Sequence, residues 1–152
     1  MMSNLTAEKL DAHDDAVLDE LVVLYRDKLV PELVCAAPGS PDRPSPGWLR
    51  SEGRHVYGVR DETGELVGAW VVRDDSIYYP VADVSEGVPG VARILKALWK
   101  ECTEHHENLT AKTDNPVIMK WAKQAVSPKS VTKIKDYTLA WKKPKDWEKR
   151  KP

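Results

Sequence analysis

The spacing of apolar residues predicts a strand and a helix in the first thirty residues. Leu5 to Leu10 is a short segment that predicts an edge strand. Asp14 and Asp15 are candidate N-cap residues for an amphipathic helix of about four turns. Its apolar face repeats at three- and four-residue spacing and comprises Val17, Leu18, Leu21, Val22, Leu24, Tyr25 and Leu29.

The next segment, Ala37 to Gly53, has no hydrophobic period. It contains four prolines, at positions 38, 41, 44 and 46. A loop of this length inside a compact domain is uncommon and is either functional or disordered. We expect an extended loop that Trp48 anchors to the body of the domain.

Alternation with a period of two follows and predicts three strands. They are His55 to Arg60, Leu66 to Arg73 and Ser76 to Val84. The turns between them, Asp61–Gly64 and Asp74–Asp75, are short and polar. Three strands joined by short turns predict an antiparallel meander.

The second half of the chain alternates helices and strands. A helix carries Val91, Ile94, Leu95, Leu98 and Cys102 on one face, and Leu109 to Lys112 predicts a strand. Asn115 and Pro116 begin a third helix, and Val131 to Trp141 predicts a final strand. The order β-α-loop-β-β-β-α-β-α-β indicates an α/β (α+β) domain with a mixed sheet over residues 1–141. Residues 142–152 form a basic C-terminal tail.

Composition narrows the class of protein. The 152 residues carry 23 Lys and Arg against 24 Asp and Glu, a net charge of −1. This balance argues against a surface that is basic throughout and grips nucleic acid. No apolar run approaches eighteen residues, and the N-terminus lacks a signal-peptide pattern, so we expect neither a membrane span nor secretion. Two distant cysteines, Cys35 and Cys102, favour a reducing cytoplasm.

The strand Ser76 to Val84 runs through a glycine-containing segment, residues 87–92 with the sequence GVPGVA, into a helix. This motif and the element order resemble the GNAT family of acyl-CoA-dependent N-acyltransferases. The resemblance implies a mixed, mostly antiparallel sheet whose central strand splays from its neighbour and is flanked by helices. It further implies that backbone N–H groups at the helix start cradle the cofactor's pyrophosphate.

The resemblance also assigns cofactor-binding residues. The family's loop has the pattern Gln/Arg-x-x-Gly-x-Gly/Ala, which Gly90 and Ala92 match, whereas Gly87 replaces Gln/Arg and Pro89 lacks an N–H. Ala122 stands where the family usually carries a tyrosine general acid. The implied cofactor is acetyl-CoA or another acyl-CoA. Its implied contacts are Val84, Gly87, Gly90, Val91, Ala92, Arg93 and Asn115.

N-acyl transfer needs a deprotonated amine, a donor to the oxyanion and an acid for the leaving thiolate. Tyr78 and Tyr79 are expected on opposite faces of their strand, so that one faces the cleft; Tyr78 is the candidate acid. Asp83 is the candidate base, with Asp75 as a second choice. The competing interpretation is one core and one surface tyrosine, with aspartates that serve local turns.

A Cys102-x-x-His105 pair is half of a metal site. No second half stands at recognisable spacing, so we expect no metal but a core-facing cysteine and exposed histidines at the helix end.

Two functions remain open. The first is an acyl-CoA-dependent N-acyltransferase acting on a small-molecule or protein amine. The second is a non-catalytic protein of the same fold, such as a phage virion component, which the degenerate motif favours. The tail from Lys142, with a net charge of +4 from six basic and two acidic residues, suits an acidic partner or nucleic acid. The expected location is cytoplasmic, or the virion under the second hypothesis.

Overall fold

A computed structural model of the chain describes residues 4–27, 43–85, 87–112, 131–135, 138–143 and 145–150. The helices are α1 (Asp15–Asp27), α2 (Pro46–Leu49), α3 (Gly87–His105) and α4 (Trp147–Arg150). The strands are β1 (Thr6–Leu10), β2 (His55–Arg60), β3 (Leu66–Arg73), β4 (Ser76–Ala82), β5 (Asn108–Lys112), β6 (Val131–Lys135) and β7 (Thr138–Lys142).

The strands form one seven-stranded sheet in the order β1-β2-β3-β4-β5-β7-β6. Every neighbouring pair is antiparallel except β4 and β5, which are parallel. β4 is therefore the middle strand of a mixed, mostly antiparallel sheet, as predicted. The meander from β2 to β4 has the predicted turns, and both residues of the second turn, Asp74 and Asp75, have positive φ.

α1 begins where its sequence indicates. The Asp14 carboxylate accepts a hydrogen bond from the N–H of Ala16 at 2.9 Å, which satisfies a donor of the first turn. The residues that α1 buries are Leu18, Leu21, Leu24 and Tyr25. Val22, expected on the buried face, is instead 39% exposed. The width of the stripe explains the error, because the sheet covers only its central part.

Two cores form, one on each face of the sheet. β3 contributes to both: Val67, Trp70 and Val72 pack with α3, whereas Ala69 and Val71 pack with α1. The five predicted apolar residues of α3 are all buried, confirming its orientation. Gly68 has a role in this packing, since a Cβ built there would lie 2.2 Å from Cγ2 of Ile94. The helix thus approaches the strand more closely than any side chain at Gly68 allows.

Three sequence predictions need correction. The predicted strand Val131–Trp141 is two antiparallel strands, with β7 inserted between β5 and β6. Within the predicted loop Ala37–Gly53, the described part contains α2, where the Ser45 hydroxyl accepts from the Trp48 N–H. The glycine-containing segment, residues 87–92, was expected to lead into the helix but lies within α3, which begins at Gly87. The helix predicted from Asn115 onward lies outside the described residues.

Within the described ranges, no helix is long and apolar enough to cross a membrane. The same residues contain no group of three or more His, Cys, Asp or Glu side chains placed to hold a metal ion.

Candidate functional site

The central feature of the site is the separation of β4 from β5. Their pairing consists of one residue pair, Ser76 with Thr110, reinforced by a hydrogen bond of 2.7 Å from the Thr110 N–H to the Asp75 carbonyl. β4 continues to Ala82 without pairing further to β5. Beyond Ser76 the β5-facing edge of β4 is therefore free of ladder partners among the described residues. An unpaired strand edge offers backbone donors and acceptors to an extended ligand.

A β-bulge interrupts β4 within this region. Val71 pairs with Tyr78 and Ala69 with Val81, so the single residue Trp70 opposes both Tyr79 and Pro80. Tyr79 has φ +53°, a left-handed conformation that is uncommon outside glycine. Two residues against one constitutes a β-bulge, which re-aims side chains and often lies near active sites.

The bulge overturns the expectation that Tyr78 and Tyr79 face opposite sides. Both rings pack edge-on against Trp48, with centroid separations of 6.0 Å and 5.2 Å. Alternation fails because the extra residue shifts the strand's period by one. Both tyrosines are half-buried on the α1 side, where they pack against the second core. The contact also confirms that Trp48 anchors its segment.

Tyr25 of α1 contacts both the backbone and the ring of Tyr79 in the bulge. Its hydroxyl donates a hydrogen bond of 2.5 Å to the Tyr79 carbonyl, and the two rings meet edge-to-face at 6.5 Å. Burial, and secondarily the Tyr79 phenol, raises the pKa of Tyr25 well above its ordinary value. The hydroxyl therefore stays protonated and remains a donor. Burial likewise raises the pKa of Tyr79, with Tyr78 adding to the effect.

A strand–loop–helix junction is present between the end of β4 at Ala82 and the start of α3 at Gly87. It precedes the glycine-containing segment, residues 87–92, which was predicted to form it but lies within the helix. Asp83, the candidate base, continues the strand through a 2.7 Å hydrogen bond from its N–H to the Val67 carbonyl. Its carboxylate accepts from the Ser85 N–H at 2.9 Å, which shapes the turn. Val84 is 46% exposed at the mouth of the junction.

The start of α3 offers fewer free N–H groups than the family pattern implies. Gly87 has φ +73° and donates its N–H to the Val84 carbonyl at 2.9 Å. Pro89 has no N–H. Of the first three N–H positions of the helix, one is thus occupied and one is missing; for the third, Val88, no acceptor is found among the described residues.

The other implied cofactor contacts lie farther along α3. Gly90 is buried within the first turn, Val91 is in the core, Ala92 is half-buried and Arg93 is exposed. Gly90 and Ala92 therefore contribute to helix packing rather than to a loop that precedes the helix. Asn115 lies outside the described residues.

Sequence reasoning missed a cluster at the opposite end of α3. The Tyr57 hydroxyl lies 2.8 Å from Nε2 of His106, and the His106 ring contacts His55 edge-on at 5.5 Å. Burial lowers the pKa of His106, and His55 adds to the effect. Cys102 is buried as expected and accepts the Trp70 indole N–H at 2.9 Å. His106 itself is half-buried, contrary to expectation, because it packs against β2. No pattern in the local sequence predicts that contact.

Comparison with known proteins supports this topology. No family model matches the chain, and no curated protein matches its sequence. Among solved structures, an N-acetyltransferase from Staphylococcus aureus Mu50 aligns with a TM-score of 0.56 and 12% identity, over 92% of this chain and 98% of that one. A GNAT-family acetyltransferase from the same organism aligns at 0.51 and 9% identity, over 91% and 99%. An aminoglycoside acetyltransferase from an uncultured soil sample, solved with sisomicin, gives 0.53 and 17%, over 86% and 92%. The chain has the GNAT fold.

Proposed function

We propose that this protein binds acyl-CoA along the free edge of β4 and transfers the acyl group to an amine. The observation that carries the proposal is the single-pair contact between β4 and β5, followed by separation up to the start of α3. A pantetheine arm is an extended, amide-containing chain, and an unpaired strand edge suits it. The proposed donor is acetyl-CoA or another acyl-CoA.

Different residues of this chain would bind the cofactor and carry out the proton transfers of the reaction. The unpaired backbone of β4 would orient the thioester, and the N-terminus of α3 would attract the pyrophosphate. Asp83, the residue after β4, is the proposed base and would accept a proton from the amine through water. Tyr78 remains the candidate acid, although its ring packs against Trp48. The acceptor is a small-molecule or protein amine.

The location proposed for this activity is the cytoplasm. Cys102 is a buried free thiol, which is consistent with reducing surroundings.

The second candidate is a non-catalytic protein on the same fold. The occupied N–H of Gly87 and the proline at position 89 favour it, because both reduce the anion-binding capacity of the α3 start. In that case the basic segment 142–152 would bind an acidic partner or nucleic acid, as in a virion component. β7 ends at Lys142, which pairs with Asn108, so the sheet extends into the first residue of that segment.

Calorimetric titration with acetyl-CoA and desulfo-CoA tests the binding step. We expect both to bind, because the proposed contacts address the pantetheine and the phosphates rather than the thioester. Val84→Glu places a negative charge beside the pyrophosphate and should weaken both by about fivefold at low salt. Val23→Glu is the matched control, because Val23 of α1 is 44% exposed against 46% for Val84.

The outcomes separate the two candidates. Absence of heat at millimolar acetyl-CoA would overturn the proposal in favour of the non-catalytic protein. If Val23→Glu and Val84→Glu weakened binding equally, the junction between β4 and α3 would not be part of the binding site. Transfer itself is measured as amine-dependent release of the CoA thiol. Binding without such release would identify a CoA-binding protein that is not an enzyme.

The family pattern suggests one substitution at Gly87 that would restore the missing cation, but the backbone conformation there disfavours it. Gly87→Arg would restore the family's cation, and the sequence alone predicts tighter cofactor binding by about 1 kcal/mol. Gly87 has φ +73°, however, where any side chain is strained. We therefore expect Gly87→Arg to lower the stability of the protein and not simply to raise its affinity for the cofactor.

A further inference from the structure

A cavity lies away from the β4–β5 separation, where β1 passes into α1. Its volume is about 320 Å³, which is at the lower end of the range of roughly 300–1,000 Å³ for small-molecule sites. The floor is apolar and nearly fully buried, consisting of Leu10, Leu49 and Val56. The remaining wall comprises Lys9, Asp11, Ala12, His13, Ser51 and Arg54.

The charges of the wall favour an anion. Lys9 and Arg54 are cationic, and His13 adds a further nitrogen donor or acceptor. Asp11 is the one carboxylate among the lining residues, and its Oδ1 accepts the His13 N–H at 2.9 Å. That hydrogen bond pairs the Asp11 carboxylate with a backbone donor of its own turn, so less of its negative charge faces the cavity.

Arg54 lines the cavity, and two contacts hold its guanidinium in place. Nη1 donates to the Glu52 carbonyl at 3.0 Å, and the guanidinium carbon stands 4.8 Å from the centre of the Trp48 ring. The buried Nε–H has no acceptor among the described residues. A guanidinium is a preferred partner of carboxylates, to which it donates charge-assisted hydrogen bonds. Because the Nε atom is closed to solvent, a ligand would be bound by the rest of the guanidinium.

Hydrogen bonds and ring contacts hold the residues around Arg54 in place. Arg50, at the end of α2, donates from Nε to the Ala12 carbonyl at 2.8 Å and from Nη2 to Asp15 at 2.5 Å. These bonds tie α2 to the β1–α1 junction across the cavity. Trp48, against which Arg54 stacks, is itself packed on Tyr79. A receptor held in this way loses little conformational freedom when a ligand arrives.

We propose that this cavity binds a small organic acid, with its carboxylate on the Arg54 guanidinium and its apolar body on the Leu10–Leu49–Val56 floor. Lys9 adds charge at the rim. The proposal does not depend on acyl-CoA binding, because no residue of the cavity belongs to the junction between β4 and α3.

The test observes the arginine Nε–Hε signals of ¹⁵N-labelled full-length protein by NMR. Arg54→Lys identifies the Arg54 signal by its loss. Sodium benzoate, sodium phosphate and sodium chloride are titrated at matched ionic strength. We expect benzoate to shift the Arg54 signal saturably and chloride to leave it unchanged. Equal shifts with chloride, or no shift with benzoate, would overturn the proposal. Tighter binding of phosphate than of benzoate would overturn the organic-acid assignment and identify a phosphate site.

Affinity measurements on variants complete the test. Arg54→Lys keeps the charge but lacks the planar guanidinium, and we expect benzoate binding about tenfold weaker. Lys9→Gln should weaken binding two- to threefold, whereas Lys96→Gln, an exposed lysine on α3, should not change it. Because Lys9 is exposed, its substitution leaves the fold intact. Unchanged affinity in both Arg54→Lys and Lys9→Gln would refute the proposed contacts.

Discussion

Removal of one hydroxyl, in Tyr25→Phe, tests whether α1 stabilises the bulge of β4. The substitution keeps the ring, so the edge-to-face contact with Tyr79 at 6.5 Å is preserved. It deletes only the 2.5 Å hydrogen bond to the Tyr79 carbonyl. That carbonyl belongs to a residue at φ +53°, a conformation that costs an L-residue about 1–2 kcal/mol. The hydrogen bond therefore fastens the point of β4 where the backbone is under most strain.

The expected loss follows from the burial of the pair. Tyr25 is 2% exposed, so water has little access to replace the lost donor. A buried acceptor that loses its partner costs about 1–3 kcal/mol. For a chain of this length, each kcal/mol lowers the melting temperature by about 2–4 °C.

Urea denaturation followed by circular dichroism measures this loss. Tyr78→Phe is the matched control, because Tyr78 lies next to Tyr79 in β4 and packs on Trp48, but no hydrogen bond of its hydroxyl is found among the described residues. We expect that control to change the free energy of unfolding by less than about 0.5 kcal/mol. A loss below about 0.5 kcal/mol for Tyr25→Phe, or equal losses for both variants, would refute the reasoning.

Three further predictions concern packing, a turn and pH. Gly68→Ala should cost about 1–3 kcal/mol by overpacking against Ile94, and Ile94→Ala in the same chain should recover part of that penalty in denaturant titrations. Asp75→Gly should stabilise the protein by about 0.5–1 kcal/mol, because Asp75 has φ +64° in a turn that favours glycine; a lower melting temperature would contradict this. Burial lowers the pKa of His55 and His106, so the unfolded chain binds more protons and the free energy of unfolding should fall as pH drops below the ordinary histidine value of 6.5. His106→Gln should show a smaller fall between pH 7.5 and 5.5 than wild type.

Local patterns were sufficient for most secondary structure. Alternation placed the three strands of the meander, and the 3.6-residue period placed the buried face of α3. The Asp14 cap was readable because capping depends on neighbouring residues. The GNAT-like order of elements followed from these assignments, and the fold agrees with it.

The site depended on contacts between residues far apart in the chain. The bulge that places Tyr78 and Tyr79 on one side exists where β4 meets β3, α1 and Trp48 at once. The division of Val131–Trp141 into two strands likewise depends on β5, which pairs with only the second of them.

The sequence by itself determined which segments are helical or extended and which faces are apolar, because propensity, capping and periodicity act over a few residues. Only the tertiary structure decided the extent of the β4–β5 separation, the bond of His106 to Tyr57 and the unpartnered Nε of Arg54. Those features depend on strand register and on the packing of elements many residues apart. A shift of one residue in register reverses which face a side chain occupies, and no short-range pattern along the chain encodes it.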